Sequence, residues 1–198
     1  QLNQPGQQRA PLVAPGAVVN AASYEGAVVS PGGYVSIFGV KLADNTGQAG
    51  SVPLPTDING TKVTLAGRDL PLNFVPGGGP PSRARWAVVV APAQPAIYTQ
   101  NQSGSGPGVI VNGVTNVLNT AAAPARAGDV LTIYANGLGA VNPPVPLGAA
   151  APPAGLSRTV NPVTVRIGGI AVQPQFAGLA PGFPGLYQIN VQVPAGVT

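Results

Sequence analysis

The chain of 198 residues is short of charge: 7% of its residues are charged, 44% are apolar and the net charge is +4. Glycine (28 residues) and proline (24 residues) are abundant, but a disordered chain would be poorer in apolar residues, so a folded protein is expected. Because histidine and cysteine are absent, the composition excludes a Ser-His-Asp triad, histidine metal sites, disulfides and thiol chemistry.

The chain repeats itself at an interval of about 100 residues, which is too long for a solenoid unit and right for a small β-domain. Residues 31–42 recur as residues 127–138, and residues 62–67 recur as residues 164–169. Proline and glycine interrupt the windows that could form helices. The sequence therefore predicts an all-β fold of two tandem Ig-like β-sandwich domains with an extended N-terminal arm.

In chain order, the predicted arm covers residues 1–17, the first sandwich residues 18–124 and the second sandwich residues 125–198. The strands expected in the first sandwich are residues 34–38, 62–65, 86–90 (a buried strand), 96–99, 109–111 and 114–118, the last two joined by a hairpin turn at Asn112-Gly113. Those expected in the second are residues 130–134, 163–167 and 188–193, and the last of these alternates strictly between apolar and polar residues.

The second copy ends earlier than the first. In the aligned repeat Pro194 falls opposite Pro92, and about thirty residues with three expected strands follow Pro92, whereas only residues 195–198 follow Pro194. The second sandwich is therefore expected to lack its closing strands, which would leave an unpaired edge and open apolar pockets. A natural protein that continues past Thr198 would explain the same shortfall.

Several phrases carry a resemblance to a known family. They are VNAASY (residues 19–24), VSIFG (35–39), LTIYANGLG (131–139), FAGLAPGF (176–183) and GLYQINVQVP (185–194). Residues 18–198 thereby resemble the uncharacterised C-terminal domain family of secreted proteins from acidobacteria of the Solibacter type. The resemblance implies an Ig-like, extracellular domain without an assigned activity. The chain departs from the family pattern at residues 76–91, where a strand like residues 188–193 is usual, and after Pro194, where a further strand pair is usual.

The same composition bears on location and partners. The chain contains no methionine and starts at Gln1, so we expect a secreted protein whose signal peptide has been removed. No apolar run approaches the roughly 20 residues that span a bilayer, so membrane insertion is not expected. Arg83 and Arg85 are the one close basic pair, so nucleic acid is not an expected partner.

No residues are expected to form a catalytic, metal or cofactor site. The five acidic residues are scattered singly, and turn aspartates such as Asp57, Asp69 and Asp129 usually accept local backbone hydrogen bonds. Three less favoured interpretations stay open. They are a calcium site at Asp44, Asn45, Thr46 and Asp57, an isopeptide crosslink from Lys41 or Lys62, and a sugar-stacking platform of Trp86 and tyrosines.

The expected function is that of a non-enzymatic structural protein, whose copies assemble head-to-tail into an extracellular filament by β-strand donation. The expected donor arm comprises Leu12, Val13, Ala17, Val18 and Val19. The expected acceptor groove, in the second sandwich, comprises Val163, Val165, Ile167, Ile189, Val191 and Val193. The alternative is an accessory cell-surface adhesion or carbohydrate-binding module that presents its loops to extracellular polysaccharide.

Overall fold

A computed structural model describes residues 11–78 and 87–197. Within these residues the protein is all-β, with several sheets and no helix, which confirms the predicted fold class at that level. The first ten strands are β1 (Val18–Asn20), β2 (Val28–Val29), β3 (Val35–Ile37), β4 (Gly47–Gln48), β5 (Thr64–Leu65), β6 (Arg68–Asp69), β7 (Phe74–Val75), β8 (Val89–Val90), β9 (Ala96–Ile97) and β10 (Ile110–Asn112). The others are β11 (Val130–Asn136), β12 (Val141–Asn142), β13 (Arg158–Thr159), β14 (Val165–Ile167), β15 (Ile170–Val172), β16 (Phe176–Leu179) and β17 (Tyr187–Gln192).

The largest sheet has seven strands, all antiparallel, in the order β10-β11-β17-β16-β13-β12, and β9 also pairs with β11. The smaller two-stranded sheets are β1-β3, β2-β8, β4-β7, β5-β6 and β14-β15. Among the strands of the described residues, β2 and β8 form the one parallel pair. The longest strands, β11 and β17, lie side by side at the centre of the large sheet, so they organise its core.

The main core covers one face of the seven-stranded sheet. In β17 every second side chain is buried, as the strict alternation of residues 188–193 predicts. These side chains pack against the buried residues of β11 and β16, and the hairpin β14-β15 contributes half-buried side chains from the other layer. A second and smaller core is formed by Ala43, Ile58 and Val75. The two halves of the chain are therefore packed unequally.

Two β-hairpins occupy matching places in the sequence repeat. In β5-β6 the two-residue turn is Ala66-Gly67, with φ of 48° and 79°. In β14-β15 it is Gly168-Gly169, with φ of 55° and 83°. Positive φ at both turn residues is typical of the turn whose twist matches that of two antiparallel strands.

The repeat extends to residues that the sequence alignment did not pair. Strand β10 pairs with β11 in the same register in which β1 pairs with β3, so that Ile110-Val111-Asn112 corresponds to Val18-Val19-Asn20. The same backbone hydrogen bonds recur around both pairs. The Phe38 N–H donates to the Ala17 carbonyl, as the Tyr134 N–H does to that of Val109. The Ala21 N–H donates to the Tyr34 carbonyl, as the Gly113 N–H does to that of Val130. The Ala27 N–H donates to the Val18 carbonyl, as the Asn119 N–H does to that of Ile110.

These matches change the predicted organisation. The seven-stranded sheet takes β9 and β10 from residues 96–112, which lie before the predicted boundary between residues 124 and 125. The strand that residues 125–198 were expected to lack is thus supplied by the same chain. The sequence alignment counted those residues as the end of the first copy, whereas their pairing makes them the beginning of the second.

The predicted buried strand at residues 86–90 differs most from the observed one. Trp86 lies outside the described residues. Val89 and Val90 do form a strand, β8, but their side chains are 62% and 54% exposed. Its partner is β2, in a parallel pair, whereas the corresponding strand β17 lies between β11 and β16. The apolar composition of the segment was therefore a poor guide to its burial.

A buried polar network joins the two repeats. The Asn136 side chain is 1% exposed, and its Oδ1 accepts a hydrogen bond of 2.8 Å from the Tyr34 N–H. Its Nδ2 donates to the Tyr34 carbonyl (2.7 Å) and to Asn20 Oδ1 (2.9 Å). Asn20 Nδ2 in turn donates to the Gln94 carbonyl at 2.8 Å. Since the buried groups are paired, the network fixes the repeats relative to each other without a desolvation penalty.

We predict that Asn136→Ala destabilises the protein by about 3 kcal/mol, because it leaves the Tyr34 N–H, the Tyr34 carbonyl and Asn20 Oδ1 without that partner. Urea unfolding followed by circular dichroism measures the loss. The matched control is Asn73→Ala, an exposed asparagine, which should change the free energy of unfolding by less than about 0.5 kcal/mol. Equal effects of the two substitutions would contradict a structural role for the network.

Candidate functional site

The predicted donor arm is paired within its own chain from Leu12 onward. Leu12 exchanges two backbone hydrogen bonds with Val40, of 3.1 and 3.0 Å, although its side chain is 66% exposed. Val13 is buried, the Ala17 carbonyl accepts the Phe38 N–H, and Val18 and Val19 lie in β1. β1 is paired with β3 on one edge and with residues 25–27 on the other, so the predicted arm is part of the first repeat from Leu12 onward. Residues 1–10 lie outside the described part of the chain.

The six residues of the predicted acceptor groove lie together, as expected. Ile189, Val191 and Val193 are 6%, 0% and 5% exposed, and the half-buried Val163, Val165 and Ile167 pack against the same core. The groove is covered by the chain itself, because β9 and β10 complete the large sheet and β14-β15 lies over its face. Its core positions are filled by this chain's own side chains.

An unpaired strand edge lies in the first repeat instead. Residues Tyr34 and Phe38 of the first repeat hydrogen-bond toward β1, so by antiparallel alternation the backbone groups of Val35 and Ile37 point to the opposite edge of β3. Within residues 11–78 and 87–197 no strand pairs with that edge.

The second repeat shows what this edge would otherwise contact. The residues that correspond to Val35 and Ile37 are Leu131 and Ile133 of β11, and these pair with Val191 and Ile189 of β17. Leu131 and Ile133 are 6% and 4% exposed. Val35 and Ile37 are only half-buried. The difference follows from the presence of β17 beside β11 and the absence of a described partner beside β3.

Strand β7, like β3, has an edge without a described partner. Strand β17 lies between β11 and β16, and the counterparts of those two strands are β3 and β7. β7 pairs with β4 through Asn73 and Val75, which leaves the backbone of Phe74 facing away from β4. The Phe74 side chain is 55% exposed, whereas its counterpart Phe176 is 6% exposed and lies under the Arg158 guanidinium. By analogy with β17, which lies between β11 and β16, we call the unpaired edges of β3 and β7 together the open strand position.

Two of the three aspartates named above, Asp57 and Asp129, take the expected role of turn aspartates, whereas Asp69 lies in β6. Asp57 Oδ1 accepts the Gly60 N–H at 2.8 Å, and Asp129 Oδ2 accepts the Arg126 N–H at 2.9 Å. The Lys62 side chain is 56% exposed, as expected, and its Nζ lies 3.8 Å from Asp57 Oδ2. No group of three or more acidic, histidine or cysteine residues that could hold a metal ion occurs in the described ranges.

The oxygens considered for calcium are partly engaged elsewhere. Thr46 Oγ1 accepts the Gly77 N–H at 3.0 Å, and the Thr46 carbonyl accepts from Asn59 Nδ2 at 3.2 Å. These contacts tie the turn at Thr46 to its neighbours. Among the described residues no helix is long and apolar enough to cross a membrane.

A shallow aromatic groove lies between the repeats. It consists of two adjoining depressions, each of about 340 Å³, that share Tyr98 and Val109. One is lined by aromatic and amide side chains, the other by aromatic and aliphatic ones, and none of the lining residues is charged. The polar and aromatic members are Tyr24, Tyr98, Thr99, Gln100, Gln102, Tyr134 and Phe183. Burial raises the pKa of Tyr98 well above its usual range, so its hydroxyl stays neutral.

The loop beside this groove is held by its own hydrogen bonds. Gln100 Nε2 donates to the Gly108 carbonyl at 3.0 Å, and Thr99 Oγ1 accepts the Gly104 N–H at 3.1 Å. Asn101 Oδ1 accepts from both the N–H and the hydroxyl of Ser103. The groove therefore has a polar rim that local hydrogen bonds hold in place.

Comparison with protein-family models, with curated proteins and with solved structures found no match to this chain. The resemblance to the acidobacterial domain family therefore stays an expectation.

The open strand position is not visible when the two copies are aligned on their most similar segments, residues 31–42 with 127–138 and residues 62–67 with 164–169. The signal that could have found it is Ile110-Val111-Asn112, which repeats Val18-Val19-Asn20 in type and in the turn that follows. In both copies the asparagine Oδ1 accepts an N–H two residues later, from Ala22 and from Val114. When the copies are aligned on these residues, the second copy begins with β10, as the first begins with β1. The last strand of the first copy is then β8, which is shorter and more exposed than its counterpart β17.

Proposed function

We propose that the protein is a non-enzymatic, secreted structural protein whose copies join into an extracellular filament by β-strand donation. The open strand position of the first repeat is the acceptor. A strand from a neighbouring copy would pair with Val35 and Ile37 on one side and with Phe74 on the other, as β17 pairs between β11 and β16.

The observation that carries this proposal is the difference between β3 and β11. The two strands have the same sequence pattern, and their first neighbours, β1 and β10, correspond in the repeat. Of the two, β11 alone has a described neighbour on its second edge, which is β17. An unpaired row of backbone groups beside apolar side chains is a template for another strand. We therefore propose an acceptor in the first repeat rather than beside Val163, Val165 and Ile167.

The surface near the open strand position favours association with a like surface. Phe38, Val40 and Phe74 are 52%, 60% and 55% exposed. Only 7% of the chain is charged, so little electrostatic repulsion opposes the approach of copies. Exposed aromatic and aliphatic side chains beside an unpaired edge provide the side-chain contacts that accompany strand addition.

The wider description belongs to the same proposal. Two tandem Ig-like sandwiches, each beginning with its own first strand, suit a rod-shaped subunit, and the buried network at Asn136 keeps the two in a fixed relation. The absence of histidine and cysteine from the sequence, together with turn roles for Asp57 and Asp129, supports a non-enzymatic role.

A second candidate function is carbohydrate binding, as an accessory module at the cell surface. The aromatic groove favours it, because tyrosine rings stack on sugar faces and glutamine side chains bond to sugar hydroxyls. The uncharged lining fits a neutral extracellular polysaccharide. This function and filament formation use different surfaces, so they can be tested separately.

We predict that Ile37→Pro prevents filament formation while the monomer stays folded. The Ile37 N–H points away from β1, so proline removes a donor for the incoming strand and none of the hydrogen bonds to β1. Val35→Pro repeats the test at the next outward-facing amide. Electron microscopy and sedimentation measure assembly, and circular dichroism verifies the fold.

The matched variant is Arg166→Pro, which blocks the outer edge of β14, beside the acceptor groove expected from the sequence. It should assemble like the parent protein. Assembly that survives Ile37→Pro and Val35→Pro but is lost in Arg166→Pro would contradict the proposed acceptor and favour the groove of the second repeat.

For the second candidate, we predict that Tyr98→Ala lowers binding to neutral polysaccharide at least tenfold, because it removes the ring common to both depressions. A glycan array followed by calorimetry measures binding by the monomer. Val114→Ala, at an exposed side chain outside the groove, is the control. A parent protein that binds no glycan on the array would rule this function out.

A further inference from the structure

We infer that the donated strand is residues 87–91, and that each copy places it beside β3 of the next copy. The inference rests on the proposed function and names the segment that fills the acceptor. These residues contain β8, which pairs in parallel with β2 within the described chain.

The repeat assigns this segment to the open strand position. Strand β17 corresponds in sequence to the segment that contains β8, since Phe176 and Phe74 precede the two at the same spacing. Carrying over the pairing of Leu131 with Val191 and of Ile133 with Ile189 gives a specific register. It places Val89 opposite Val35, and Ala87 opposite Ile37.

The present position of the segment is weakly held. Its parallel pairing with β2 covers two residue pairs, Val28 with Val89 and Val29 with Val90, and includes hydrogen bonds from the Val89 N–H to the Ala27 carbonyl and from the Ala91 N–H to the Val29 carbonyl. The valine side chains of β8 are more than half exposed, although a run of three valines is typical of a buried strand. Beside β3 the same residues would gain antiparallel pairing on both edges and cover apolar side chains.

The segment is anchored at its carboxyl end. The Gln94 N–H donates to the Gly137 carbonyl at 2.8 Å, and the Gln94 carbonyl accepts from Asn20 at 2.8 Å. Gly137 has φ of 74°, and a Cβ there would lie 2.1 Å from the Gln94 carbonyl oxygen, so this contact needs glycine. Residues 87–91 can therefore leave β2 while the joint between the repeats stays intact.

A chain that donates a strand at one surface and accepts a strand at another forms a heterologous contact, which can continue from copy to copy into an open filament. Each copy offers residues 87–91 at one place and the unpaired edge of β3 at another, so successive copies join head-to-tail. The occupant of the open strand position is accordingly a second copy of this chain.

The experiment uses the absence of cysteine from the chain, which leaves two introduced thiols as the only ones present. Val35→Cys and Val89→Cys are made in separate proteins, mixed under assembly conditions and oxidised. A disulfide between them can form only between two copies, and the inferred register brings their Cα atoms within the roughly 5.5 Å that a disulfide requires. We expect covalent dimers in at least tenfold excess over a mixture of Val35→Cys with Val114→Cys, which is more exposed than Val89.

The doubly substituted chain, Val35→Cys with Val89→Cys, separates the remaining outcomes. A ladder of covalent oligomers supports donation between copies. An intrachain disulfide without oligomers overturns the inference, because the segment then closes its own repeat. Filaments that form without either disulfide overturn the donor assignment and leave the proposed function standing, whereas a parent chain that forms no filaments removes both.

Discussion

Each edge of an antiparallel strand presents N–H and C=O groups that need a partner, and this requirement separates the two repeats. Strand β11 has β10, with β9, along one edge and β17 along the other. Strand β3 has β1 along one edge, and the described residues provide nothing for the other. Backbone N–H and C=O groups that lack hydrogen-bond partners cost free energy when they lie beside apolar side chains, and such an edge is a template for another strand. The half-buried state of Val35 and Ile37 follows from this edge, and the proposed self-association uses it.

The polar network at Asn136 holds the beginning of strand β3 in position through the backbone of Tyr34. Asn136 corresponds in the repeat to Val40, so the joint between the repeats lies where the repeated sequence changes from apolar to polar. Its amide satisfies both backbone groups of Tyr34, the residue that precedes β3. The second repeat therefore holds the start of the unpaired strand. An acceptor held in this way is preorganised, which lowers the entropic cost of adding a strand.

The sequence predicted the all-β fold and the alternation in β17, because both depend on the local residue pattern. It also grouped Val163, Val165 and Ile167 with Ile189, Val191 and Val193, because apolar alternation shows which side chains share a face. It did not predict which strand completes which sheet, since Ile110-Val111-Asn112 reads equally well as the end of one copy or the start of the next. Nor did it predict that Val89 and Val90 are exposed, because a strand's partner, and not its composition, decides its burial.

Hydrogen exchange at single amides tests the central claim most directly. In the dilute monomer the amides of Val35 and Ile37 should exchange quickly, whereas those of Leu131 and Ile133, paired with β17, should be strongly protected. In the assembled state all four should be protected, because a strand from another copy then occupies the open strand position. Strong protection of Val35 and Ile37 in the monomer, or no gain in their protection on assembly, would contradict the account.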